Sequence, residues 1–87
     1  MSINAQETSK QAYHELVGVG QKQQVILATL QLHGPKTDKQ LAFYTQWPIS
    51  SVTARRNELV VLGFVREKGK VVDPETHKTV IQWEVSA

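Results

Sequence analysis

The sequence predicts a small α+β domain, mainly helical, in which three helices share one core and are followed by a two-stranded β-hairpin. Three observations predict it. Apolar residues recur at helical spacing in three stretches that end at Leu62, breaker residues separate those stretches, and after Gly63 the apolar period changes to two.

The first helix is expected over Gln21 to Leu32, where Val25, Ile26, Leu27, Leu30 and Leu32 give a broad apolar side. His33-Gly34-Pro35 ends it, because Gly34 suits a left-handed cap and Pro35 cannot continue the hydrogen-bond ladder. Thr37-Asp38-Lys39-Gln40 matches a capping box and opens the second helix, with Leu41, Ala42 and either Tyr44 or Thr45 on its inner side. That helix runs only to about Gln46, since Pro48 biases Trp47 away from helical dihedrals. A third helix begins at about Ile49, carries Val52, Leu59 and Leu62 at helical spacing, and stops at Gly63. The turn between the second and third is therefore about three residues long, the length of a helix-turn-helix. Phe64 to Val72 then reads as a strand with Gly69 as a candidate bulge, Asp73 to Lys78 as a turn, and Thr79 to Val85 as a strand with Ile81, Trp83 and Val85 on one side.

Eighty-seven residues make one domain, divided here into an arm or short helix over 1–20, where Tyr13, Leu16 and Val17 form an apolar face, and the folded domain over 21–87. There is no cysteine, which removes disulfides, thiolate metal sites and thiol nucleophiles. A core this small has a thin margin of stability, so a homodimer is the expected support. The first ten residues lack the apolar run of a signal peptide, and no stretch approaches the ~18 apolar residues of a membrane span; a cytoplasmic protein without membrane contact is expected. The net charge of +2 lies wholly in residues 33–87, where eight Lys and Arg stand against six Asp and Glu. His14, His33 and His77 are dispersed and lack partners at ligand spacing, and no phosphate loop or nucleophile elbow is present, so neither metal, cofactor nor enzymatic activity is expected.

Gly34-Pro35, Thr37, Leu41-Ala42, Ser50-Ser51-Val52-Thr53-Ala54-Arg55, Glu58-Leu59 and Leu62-Gly63-Phe64-Val65 follow one another in a pattern that resembles the winged helix-turn-helix superfamily. The similarity is to its bacterial and phage members, including the multiple-antibiotic-resistance repressor type, and covers about residues 21–85. It implies a three-helix core with a C-terminal hairpin wing and a double-stranded DNA partner, in a transcriptional regulator acting as a homodimer. Two positions depart from the pattern. Pro48 stands in the turn, and Arg56 falls on the inner face between Val52 and Leu59. Arg56 fits if its stem lines the core edge while the guanidinium reaches solvent or Glu58, or if the helix is rotated from this register.

On that resemblance the third helix enters the major groove, with Ser50, Ser51, Thr53, Ala54, Arg55 and Asn57 as candidates for base or phosphate contact. The plainer alternatives are that Ser50 or Ser51 caps the helix and that Arg55 pairs with Glu58 at i, i+3. Lys36 and Lys39, at the start of the second helix, are candidate phosphate clamps or solvated surface lysines. Lys68, Lys70 and Lys78 cluster on the hairpin, where they are expected to meet phosphates. Trp47 and Trp83 are expected in the core rather than as stacking platforms for single strands. An alternative of another class is a winged helix used as a protein-interaction module, which the modest charge and the Val60-Val61 pair suggest.

Overall fold

The computed structural model describes residues 20–86, so the expected arm over 1–20 lies outside the described residues except for Gly20. The elements are α1 (Gln21–His33), β1 (Lys36–Thr37), α2 (Asp38–Thr45), α3 (Ile49–Leu62), β2 (Val65–Val72) and β3 (Thr79–Val85). Among the described residues the architecture is α+β, three helices against an antiparallel sheet.

Local chemistry accounts for most boundaries. Gly34, at φ 83°, donates its N–H to the Leu30 carbonyl and ends α1, although its ψ of −170° is extended rather than the left-handed cap expected. The capping box forms as expected: Thr37 Oγ1 accepts the Gln40 N–H at 3.2 Å, and Gln40 Oε1 accepts the Thr37 N–H at 3.0 Å. Gln46 closes α2 in the left-handed conformation, and Pro48 begins α3. No side chain caps α3; the Pro48 carbonyl accepts the Ser51 and Val52 N–H groups, so neither Ser50 nor Ser51 takes the capping role. At the far end Gly63 is left-handed, its N–H bonds to Val60 and that of Phe64 to Leu59, a Schellman closure that turns the chain into β2.

The sheet has three strands, not the two of a simple hairpin. Its order is β1-β3-β2, with Lys36 opposite Trp83 and Thr37 opposite Gln82. Two residues, the second of which is itself the cap of α2, carry no periodic signal, so only the pairing with β3 reveals β1 as a strand. The bulge is present: Glu67 pairs with Trp83 and Gly69 with Gln82, which leaves Lys68 as the extra residue.

Ile26, Leu27 and Leu30 of α1, Leu41 of α2, Val52 and Leu59 of α3 and Val65 of β2 form the core. Ala42, Trp47, Val60, Phe64, Trp83 and Val85 pack around it, so both tryptophans belong to the core's margin. The apolar side of α1 is narrower than its sequence implies, since Val25 and Leu32 face outward. Leu62 is also 54% exposed, because the Schellman turn carries the chain away before that position reaches the core. On α2 the inner side is completed by Thr45, not by the exposed Tyr44.

Leu59 is fully buried at the junction of this cluster. Leu59→Ala is expected to cost about 3 kcal/mol and lower Tm by more than about 10 °C. Val61→Ala, two residues on and 79% exposed, should stay within about 0.5 kcal/mol in the same thermal melt.

Candidate nucleic-acid interface

The turn of about 100° per residue sorts α3 into faces. Val52, Arg56 and Leu59 point inward, and all three are buried. Ser50, Ala54, Asn57 and Val61 lie on the opposite side as one exposed stripe. Thr53 sits at its edge toward α2, with its hydroxyl 3.0 Å from Asp38 Oδ2. Arg55 and Ser51 fall on the other flank, toward α1.

Arg55 does not extend from the helix. Its Nε and Nη2 each lie 2.8 Å from a Glu58 oxygen, and Gln23 of α1 donates to the same carboxylate. Hydrogen bonds from Gln23 and then Arg55 hold the Glu58 carboxyl below the usual range. The exposed stripe of α3 is therefore uncharged, and the i, i+3 pair forms as the sequence spacing suggests.

Arg56 keeps the expected register, but its guanidinium goes neither to solvent nor to Glu58. It is 8% exposed and clamps Asp38 through two bonds, Nε to Oδ1 at 2.9 Å and Nη2 to Oδ2 at 2.7 Å. The guanidinium carbon lies 3.9 Å from the centre of the Trp83 ring, so one side chain ties α3 to α2 and to β3. Sequence reasoning missed Asp38, which it named only as part of the capping-box run Thr37-Asp38-Lys39-Gln40; its partner is 18 positions away.

Lys36 of β1 and Lys39 of α2 are both engaged within the molecule. Lys36 Nζ donates to the His33 carbonyl at 2.9 Å and to that of Pro35 at 3.2 Å, capping the end of α1 beside the stacked His33 and Tyr44 rings. Lys39 reaches across to the hairpin turn and pairs with Asp73 and Glu75. Asp73 also accepts the backbone N–H groups of Glu75 and Thr76, which makes the turn compact.

These pairs decide where charge remains. Among the described residues Asp38, Glu58, Asp73, Glu75 and Glu84 all face a cation, and Glu67 alone does not. Lys22, Lys36, Lys68, Lys70 and Lys78 have no carboxylate partner among the described residues, and three of them belong to the hairpin. Lys68 is the bulge residue, Lys70 lies opposite Ile81, and Lys78 closes the turn through its carbonyl to the Asp73 N–H. Lys22, which the sequence did not single out, lies 5.5 Å above the Trp47 ring beside the turn between α2 and α3.

A groove of about 390 Å³ separates α2 from the hairpin turn. Phe43, Tyr44, Val71, Val72, Pro74 and Val80 supply its apolar lining. Among the described residues no group of three His, Cys, Asp or Glu side chains is arranged to hold a metal ion, and no helix is long and apolar enough to cross a membrane. No protein-family model matches the chain, and no curated protein matches it significantly.

Removing Asp38 leaves a guanidinium enclosed without its carboxylate, so Asp38→Ala is expected to destabilise by about 3 kcal/mol or more in urea unfolding. Arg55→Ala, at a half-exposed pair, should cost less than about 1 kcal/mol. The pair between Lys39 and the turn has its own pH range. Backbone donation from Glu75, with a further bond from Lys39, lowers the Asp73 carboxyl, so its contribution is present above the unfolded value of about 3.9 and is lost as pH falls through the folded value. The bond to Glu75 and the charge of Asp73 raise Lys39, whose contribution is present below about 10.4 and is lost as pH rises through its folded value. Amide shifts of Glu75 and Thr76 should therefore be flat between about pH 5 and 9 and move below about pH 4; a transition inside the flat range would show that the pair of Lys39 with Asp73 does not govern the turn.

Proposed function

We propose that this domain binds double-stranded DNA, placing α3 in the major groove and the hairpin against the phosphate backbone. The observation that carries the reading is the contrast between two neighbouring surfaces. The α3 stripe of Ser50, Ala54 and Asn57, edged by Thr53, is exposed, polar or small and uncharged, which suits base edges, whereas Lys68, Lys70 and Lys78 on the hairpin have no carboxylate partner among the described residues, which suits phosphates. The element order, with its three-residue turn and terminal hairpin, is compatible with a winged-helix domain, in which the hairpin is the wing. A regulator of transcription acting as a homodimer fits this reading, because one such module buries only about 600–1,000 Å² on DNA and two half-sites supply the remaining specificity.

Among the candidates, Ser50, Thr53, Ala54 and Asn57 serve base contact. Arg55 and Lys39 would first have to leave their carboxylates, and Lys36 its two carbonyls. Ser51 lies on the α1 flank, suited to a phosphate at the groove edge. A second reading, a protein-interaction module, is favoured by one feature: Phe43 is 72% exposed beside the groove between α2 and the hairpin turn.

Fluorescence anisotropy against a short random duplex across a salt series separates the two. The DNA reading expects the logarithmic salt slope to fall by about 0.9 for each phosphate contact removed, or nearly 3 for the Lys68→Ala, Lys70→Ala, Lys78→Ala triple variant. Absence of binding at low salt would overturn the DNA reading and leave the interaction module.

A further inference from the structure

The proton of the Thr53 hydroxyl is already committed. Thr53 Oγ1 lies 3.0 Å from Asp38 Oδ2, and a carboxylate oxygen can only accept, so the hydroxyl donates. Asp38 is not free to turn away. Arg56 holds both of its oxygens, at 2.9 and 2.7 Å, and is itself stacked on Trp83. A hydrogen bond to an ionised acceptor is about twice as strong as one between neutral groups, and donation of this kind strengthens the oxygen as an acceptor. Thr53 is exposed, so what it offers to the outside is a pair of acceptor lone pairs in a fixed direction.

This excludes one role and specifies another. Phosphate oxygens are acceptors and require a donor, so a Thr53 bonded in this way is not a phosphate clamp. In the major groove the donors are the exocyclic amino groups, N6 of adenine and N4 of cytosine, while guanine O6 and thymine O4 are acceptors. We infer that Thr53, set by Asp38, is a specificity-determining residue that accepts a hydrogen bond from an adenine or cytosine amino group and disfavours guanine and thymine at the same position. Because every base pair carries one amino and one keto group in its major groove, such a contact also fixes the orientation of the site. The inference rests on the DNA reading above and deepens it.

The test is selection from a randomised duplex library followed by sequencing, with the wild-type chain, Thr53→Ser and Thr53→Val. Serine retains the hydroxyl and valine retains the shape, and an exposed helical position should tolerate both. Wild type and Thr53→Ser are expected to select adenine or cytosine at one position on one strand. Thr53→Val is expected to lose that preference, with the ratio between amino and keto bases there falling about two- to tenfold while the other positions keep theirs. A preference for guanine or thymine at the position that responds to Thr53→Val would overturn the inference. So would a uniform loss of affinity for all sequences, the mark of a phosphate contact, or a selected site that Thr53→Val leaves unchanged. If the wild-type chain binds no duplex, the DNA reading falls and takes this assignment with it; the other adverse results leave that reading standing.

Discussion

A guanidinium among the inward residues of a helix must find its counter-charge inside the domain, because an unpaired buried charge costs several kcal/mol in a fold whose whole stability is of the order of ten. Arg56 finds it in Asp38, and the geometry follows from that requirement. Asp38 opens α2, Arg56 lies midway along α3 and Trp83 belongs to the central strand, so the contact joins two helices and the sheet at one point. A two-bond ion pair has one good arrangement, and it determines how the start of α2 sits against the exposed stripe of α3.

The same logic of pairing shapes the electrostatics. A net charge of +2 on 87 residues is unremarkable as a total. What matters is that nearly every carboxylate of the described chain is consumed locally by Arg55, Arg56, Arg66 or Lys39. The remaining lysines form the positive surface, and the hairpin carries most of it. Among the described residues the three arginines all pair with carboxylates, which a planar fork matches, whereas of the lysines Lys39 alone does.

Much of the fold was legible because local chemistry specified it. Thr37 and Gln40 cap α2, Gly63 turns the chain out of α3, Pro48 separates the two helices, and the period of two after Gly63 marks the hairpin with its bulge beside Gly69. Each of these depends on residues within a few positions of one another. Less was legible of the candidate interface. The sequence put Ser50, Ser51, Thr53, Ala54 and Asn57 on the outer face of α3; Ser50, Ala54 and Asn57 form the exposed stripe with Thr53 at its edge, but Ser51 falls on the α1 flank and is half-buried. It offered Arg55 either to DNA or to Glu58, and the Glu58 pair forms; it offered Lys36 and Lys39 as phosphate clamps or solvated lysines, whereas each has a partner within the molecule.

By itself, then, the sequence determined three helices, the capping box of α2, the glycine stop of α3, the tight turn, the switch to strand and most of the outward face of α3, since propensity, capping and periodicity act over one or two turns of chain. Only the tertiary structure decided that Lys36 and Thr37 add a third strand, that Arg56 meets Asp38 against Trp83, and that Lys39 pairs with the hairpin turn. Those contacts join residues 18 to 47 positions apart. The attraction of a guanidinium or an ammonium for a carboxylate is the same for every acidic residue in the chain, so the choice among them is made by the packing that brings one of them within reach.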